Sequence, residues 1–368
     1  MKDRYIPVAR PFLDDRDKKG VMEVLESGQL SLGSKYIEFE KKISQYVGCK
    51  YACAVSNGTC GLHLAVRAVG LKEGDEVITS PFSFISSSNC LIYEKVKPVF
   101  VDIENATCNI DHERIEKAIT AKTRAILVVH IFGQPANMSE ILKIAKKHKL
   151  RIIEDACESL GSRYKNKMSG TFGDIGVYAF YPNKQMTTGE GGMIVTNSKN
   201  IVRLCSSMRN QGRDEEGNWL LHERLGYNYR MDEMSASLGI TQLRKIDWMI
   251  NQKRRIAAIY EKELSGIGSI ITPKIGLNRT HSWFVYVIRI VNGKRDEVMK
   301  KLLKKNIQTK PYLPVIHLQP FMKKLFGFNN GDFPCAEKIS SQTLALPLFI
   351  GLRKDDIRYI CSEIKKIL

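Results

Sequence analysis

Three short stretches of this chain combine residue types that could do chemistry. The first is Phe180-Tyr181-Pro182-Asn183-Lys184-Gln185-Met186-Thr187-Thr188-Gly189-Glu190-Gly191-Gly192. Apolar runs at 175–180 and 193–196 flank it, so the reading is strand, loop, strand. A loop lysine pinned between buried strands is rigid and partly out of water. Such a lysine gives up its proton more easily and can attack a carbonyl. The plainer reading is a solvated loop lysine, since the chain holds 57 Lys and Arg. The second stretch is Asn57-Gly58-Thr59, between a short apolar run and a helical pattern. Free N–H groups and the helix dipole make such a start an anion site, although an ordinary helix cap uses the same residue types. The third is Asp155, which closes the run Arg151-Ile152-Ile153-Glu154. It could cap a helix or face a cationic ligand.

The elements that position these residues follow from periodicity. Residues 11–27 carry Val21, Val24 and Leu25 at helical spacing, stopped by Ser27-Gly28, and 35–46 is a second amphipathic helix. Strands are expected at 51–56, 76–79, 96–102, 124–130 and 151–154. Helices are expected between them at 60–69, 83–93, 113–119 and 137–148. Repeated βα units imply an α/β domain with a mostly parallel sheet covered on both faces. Ligands of such sheets bind at the carboxyl ends of the strands. Asn57-Gly58-Thr59, Asp155 and the Lys184 loop all fall at strand ends. After residue 196 a helix and loop lead to 213, and a long helix is expected over 233–263. The last hundred residues change character, with a strand at 283–291, a helix at 295–305, a Pro-rich stretch at 310–320 and a final helix at 355–367. The expected division is a large domain over 1–247 and a small α+β domain over 248–368.

Composition excludes some classes of function. Apolar residues make up 43% and charged residues 26%, as in an ordinary globular protein. The net charge of +18 admits nucleic acid or an anionic small substrate. Its densest runs, Lys146-Lys147-His148-Lys149 and Lys300-Lys301-Leu302-Leu303-Lys304-Lys305, lie on expected amphipathic helices. No zinc finger, RNP-like motif or basic tail accompanies them. A nonenzymatic nucleic-acid-binding regulator therefore rests on charge alone. The nine cysteines form no CxxC pair and read as reduced thiols. Met1-Lys2-Asp3-Arg4 leads into no apolar segment, and no run approaches the ~18 residues of a membrane span. A cytoplasmic protein is expected.

A phosphate cradle, a carboxylate at a strand end and a loop lysine are together what pyridoxal 5′-phosphate (PLP) requires. Its phosphate needs N–H and hydroxyl donors, its aldehyde a lysine, and its ring nitrogen a carboxylate that keeps it protonated. Phe84 is a candidate to cover the ring, with core packing as the alternative. Nicotinamide and P-loop readings lack their phosphate motifs, and no GxSxG elbow occurs.

Motifs spread along most of the chain resemble the DegT/DnrJ/EryC1/StrS family of sugar-nucleotide aminotransferases. They include Ser56-Asn57-Gly58-Thr59, Gly74-Asp75-Glu76-Val77-Ile78, Glu154-Asp155-Ala156, Gly173-Asp174, Lys184 to Gly192, Gly226-Tyr227-Asn228-Tyr229-Arg230, and Leu313-Pro314 to His317. The resemblance implies PLP fold type I, the aspartate-aminotransferase-like fold. It implies that Lys184 forms the internal aldimine and later moves a proton, and that Asp155 pairs with the pyridine nitrogen. It further implies that Gly58 and Thr59 bind the phosphate, Phe84 stacks on the ring and Glu158 lies near the ring hydroxyl. Asn228 would reach the phosphate of a neighbouring subunit, making a homodimer with shared sites. Tyr312 and His317 would line the sugar-nucleotide pocket. The Lys184 stretch and Glu158 are most similar to enzymes that aminate C4 of a 4-keto-6-deoxy sugar nucleotide, with L-glutamate as donor. A 3-aminotransferase or a dehydratase of the same fold is the alternative. Dehydratases replace the lysine with histidine, so Lys184 argues for transamination. The sequence departs from the family at Ala179, where a serine usually donates to the phosphate. The loss of one such bond is worth about 1 kcal/mol, and Thr59 or a neighbouring hydroxyl is where compensation is expected. The nucleotide and the sugar's stereochemistry depend on loops such as 29–36, 214–224 and 312–332.

Overall fold

The computed structural model describes residues 5–213 and 221–368. The chain start at 1–4 and most of the expected pocket loop, 214–220, lie outside the described residues. Strands β1 (Tyr51–Val55), β2 (Glu76–Thr79), β3 (Lys97–Phe100), β4 (Thr123–Val129) and β5 (Arg151–Asp155) come first in the chain. A small hairpin of β6 (Arg163–Tyr164) and β7 (Lys167–Met168) follows, then β8 (Ile175–Ala179) and β9 (Gly192–Thr196). Seven of these form one sheet in the order β1-β9-β8-β5-β4-β2-β3. β9 is antiparallel to both of its neighbours, whereas β8, β5, β4, β2 and β3 pair in parallel.

The apolar runs explain this sheet. In β4, Ala125, Leu127 and Val129 enter one core while Ile126 and Val128 enter another on the opposite face. Ile153 and Ile152 of β5 divide in the same way. Alternate side chains buried on both faces require helices above and below, as a parallel sheet does. The parallel strands point their carboxyl ends to one edge, where the site residues gather.

The second sheet is antiparallel, with β10 (Ile270–Ile271), β11 (Tyr286–Ile290) and β12 (Thr343–Leu346) in that order. It shares a core with the helix Lys354–Ile367 and with Ile256, Ala257, Tyr260 and Leu264. The helix Ile246–Leu264 spans both units: its Ile246, Met249 and Ile250 pack into the first unit's core instead. The chain start also crosses over, since Ile6 pairs with Ile307 and joins the second core. We propose that the domain boundary runs along this helix and that the first residues belong with the smaller unit.

The single long helix expected over 233–263 is two helices, Glu233–Leu243 and Ile246–Leu264. No glycine or proline marks the break. Lys245 leaves helical geometry at φ −118°, ψ 8°, and its ammonium reaches Asp14 at 2.8 Å and Asp17. Those carboxylates belong to the cap and first turn of the helix Asp15–Ser27, so the break is set by a partner more than 200 positions away.

One buried cluster anchors the strand that carries Asp155. Glu154 accepts the amides of Gly170 (2.7 Å), Phe172 (2.6 Å) and Gly173 (2.6 Å), and His130 Nε2 lies 2.8 Å from it. The Ala136 amide donates to His130 Nδ1, so the ring proton sits on Nε2 and points at the carboxylate. Glu154→Ala strands four donors, those of His130 and Gly170 buried and those of Phe172 and Gly173 partly so. A loss of about 4 kcal/mol of folding stability is expected, from roughly 1 kcal/mol or more per stranded donor, read by urea denaturation. A loss within ~1 kcal/mol would mean that water replaces the carboxylate.

Candidate active site

The carboxyl edge of the large sheet opens into a cleft of about 380 Å³. Its lining includes Gly58, Thr59, Phe84, Asp155, Glu158, Lys184 and Tyr312. Seven of the nine residues singled out in the sequence thus meet in one place.

At the end of β1, Asn57 caps the helix Gly58–Ala68 by accepting the Cys60 amide at 2.9 Å. The cap leaves the first-turn amides facing the cleft end of the helix, where an anion is favoured. Gly58 is required there. A Cβ at this position would lie 2.8 Å from the Ala179 methyl and 3.0 Å from Cys157 Sγ. Thr59 Oγ1 lies 2.8 Å from Ser86 Oγ, and both residues line the cleft.

Asp155 ends β5 and is almost fully buried. Ser87 Oγ donates to its Oδ2 at 2.6 Å, and the Cys157 amide donates to Oδ1 at 3.2 Å. Because Ser87 spends its proton on Asp155, Ser83, 2.7 Å away, must donate to Ser87. The chain of hydroxyls fixes the carboxylate's direction. Glu158 accepts the Phe132 amide at 2.9 Å, and its other oxygen lies 3.8 Å from Lys184 Nζ. Burial pushes the Glu158 carboxyl above its ordinary range, and the Lys184 ammonium opposes this in part.

The Lys184 loop is held from several sides. Thr188 N donates to Phe180 O at 3.0 Å, and Thr187 Oγ1 donates to the same carbonyl at 2.9 Å. Gln185 Nε2 donates to Glu158 O and, at 2.7 Å, to Ser282 Oγ of the C-terminal part. The Lys184 ammonium sits 4.1 Å above the Phe284 ring. Asn183, whose buried Oδ1 has no partner among the described residues, lines the cleft beside it.

Phe84 stands on the rim of the cleft, 61% exposed. Burial raises the Tyr312 phenol, and the nearby Glu158 charge adds to this. Asn228 and His317 do not line this cleft. Asn228 bridges to Asn210. His317 is fully buried, with Nε2 3.0 Å from Glu337 and its ring 4.8 Å from that of Phe333. It fastens the loop after Leu313-Pro314 from behind.

Sequence reasoning missed Ser83, Ser86 and Ser87, although the run Ser86-Ser87-Ser88 was there to read. It also missed Lys253. This lysine follows Ile246, Met249 and Ile250 on the buried stripe of its helix, a position where apolar residues are expected. Its ammonium donates to the Lys184 carbonyl at 3.4 Å, and among the described residues no carboxylate pairs with it. Burial, with the Lys184 charge second, lowers it from 10.5 to about 8. A lysine depressed in the fold takes up protons more readily when unfolded, so stability rises with pH between about 8 and 10.5. Lys253→Met is expected to be more stable than wild type at pH 7. That advantage should shrink by about 2 kcal/mol by pH 10, measured by denaturation at both pH values. An advantage independent of pH would show that Lys253 stays charged throughout.

The residues present fit PLP. First-turn amides with the Thr59 and Ser86 hydroxyls suit a phosphate, Asp155 suits a protonated ring nitrogen, and Lys184 suits the aldehyde. Fold and cleft together define the class, a PLP-dependent aminotransferase of the aspartate-aminotransferase-like type. The chain belongs to the DegT/DnrJ/EryC1/StrS aminotransferase family, whose model matches residues 11–365. It is 38% identical to a GDP-perosamine synthase of Escherichia coli O157:H7, over 99% of this chain and 98% of that one. It is 31% identical to a UDP-2-acetamido-2-deoxy-3-oxo-D-glucuronate aminotransferase of Pseudomonas aeruginosa, over 96% of each chain. Helicobacter pylori PseC, an aminotransferase involved in pseudoaminic acid biosynthesis, superposes with a TM-score of 0.95 at 27% identity, over 99% of each chain. The protein is a PLP-dependent sugar aminotransferase of this family, with a sugar substrate and an amino donor. Among the described residues no helix is long and apolar enough to cross a membrane.

Proposed function

We propose that the protein moves an amino group from L-glutamate to the C4 keto carbon of a nucleotide-linked 4-keto-6-deoxy sugar. The observation that carries this reading is the convergence of Lys184, Asp155 and the Gly58–Thr59 helix start on one cleft. The full-length similarity to a GDP-perosamine synthase supports C4 as the position. The relative that acts on a 3-oxo sugar favours C3 as the second reading.

When bound, PLP supplies a carbonyl carbon for an amine and an electron-withdrawing ring. The chain's own groups do the rest. Lys184 Nζ holds the cofactor and then carries a proton to and from the substrate carbon. Asp155, aimed by Ser87, holds the proton on the ring nitrogen. Glu158, buried against Lys184, faces the ring hydroxyl. Phe84 covers the ring and Tyr312 contacts the sugar. We place His317 behind the pocket wall, where it orders the loop that carries Tyr312.

The working unit in this proposal is a homodimer. Phe84 and Tyr181 leave apolar surface at the mouth, as do Leu32 in the loop between the first two helices and Ile37 on the second. A partner would cover them and bring its Asn228 to this phosphate. A cytoplasmic setting suits a nucleotide-sugar substrate and nine unpaired cysteines.

Two half-reactions test the position of amination. Glutamate alone should bleach the bound-cofactor absorbance and release 2-oxoglutarate, and a 4-keto-6-deoxy sugar nucleotide should then restore the band. Restoration by a 3-keto sugar nucleotide but not by the 4-keto compounds would decide for the second reading.

A further inference from the structure

We infer that Ser86 supplies the hydroxyl donor to the cofactor phosphate that Ala179 cannot. The inference rests on the assignment of PLP to this cleft. Ala179 closes β8 with its methyl against the first residue of the phosphate-facing helix, within 2.8 Å of where a Gly58 Cβ would stand. That side of the cradle therefore offers carbon and no hydroxyl.

The missing donor is available from another element. Ser86 Oγ lies 2.8 Å from Thr59 Oγ1, and Gly58, Thr59, Ser86 and Ala179 all line the same cleft. Thr59 is the second residue of the helix Gly58–Ala68, so its hydroxyl is already at the anion end. Ser86 is thereby fixed at that end too.

Counting protons separates Ser86 from its serine neighbours. Ser87 spends its O–H on Asp155, and Ser83 spends its own on Ser87. Those two serve the ring-nitrogen end of the cleft. The Thr59–Ser86 pair holds two O–H protons and can use only one internally. A phosphate oxygen carries charge and is a stronger acceptor than a neutral hydroxyl, so it can draw both protons to itself. The serine run thus serves both ends of the cofactor. Ser86 stands in for the hydroxyl absent at 179.

Equilibrium dialysis of PLP and of pyridoxal, which lacks the phosphate, tests this on wild type, Ser86→Ala, Ala179→Ser and the double variant. Ser86→Ala should weaken PLP binding by about tenfold and leave pyridoxal within about twofold. Ala179→Ser placed on Ser86→Ala should recover most of the loss, because it returns a hydroxyl to the same phosphate. Wild-type-like PLP affinity in Ser86→Ala overturns the inference, as does an equal loss for pyridoxal, which would mean a distorted cleft. Failure of wild type to bind either compound would instead overturn the cofactor assignment, and Ser86 with it.

Discussion

Lys184→Ala is expected to lower transamination by about 10⁴-fold or more and to abolish covalent attachment of the cofactor on borohydride reduction. The size of the effect follows from the cleft's composition. Lys184 is the only amine among the described residues lining it. Lys253 is close in space but cannot take over, because it is buried behind the loop and directed at the Lys184 carbonyl. Lys184→Arg should fail equally. It restores length and charge, but an always-protonated guanidinium is neither nucleophile nor base. Peptide mapping after reduction gives the readout: wild type gains the cofactor's mass on the peptide containing Lys184, and both variants gain none. Mass appearing on another lysine would move the site.

Asp155→Asn should be the next most severe change, lowering kcat by about 10³-fold while the fold survives. Asparagine keeps the shape, and its side-chain oxygen can still accept from Ser87 or from the Cys157 amide. What it loses is the negative charge. An uncharged partner cannot hold a proton on a pyridine nitrogen, so the ring withdraws electrons poorly. The loss should appear in kcat for both half-reactions, with an unchanged denaturation midpoint. A variant with near-normal kcat would show that the ring nitrogen does not need this carboxylate.

Much of this site was readable because parallel sheets put strand ends on one edge. Once β1, β5 and β8 were inferred from their apolar runs, Thr59, Asp155 and Lys184 had to be neighbours. Seven nominated residues line the cleft, six of them for that reason, while Tyr312 reaches it from the C-terminal part. The rest depended on contacts between distant parts of the chain. The break at Lys245 is set by Asp14 and Asp17, which no local pattern announces. The short strands β10 and β12 are defined by pairing to β11, and two or four residues carry too little periodicity to be seen alone. His317 looked like a pocket residue from its motif, but it turns into the Phe328 and Phe333 cluster. Ser86 and Lys253 were hidden for opposite reasons. A serine at a helix start is ordinary, and a lysine on an apolar stripe is rare enough to be read past.

In the proposed reaction an amino nitrogen passes through this cleft from donor to C4 of a sugar. Incubation with ¹⁵N-labelled L-glutamate and a panel of 4-keto-6-deoxy sugar nucleotides, followed by NMR of the products, tests it most directly. A labelled amine on C4 of at least one panel member is expected with wild type, and none with Lys184→Ala. Label on C3, or label transfer that persists without Lys184, would contradict it.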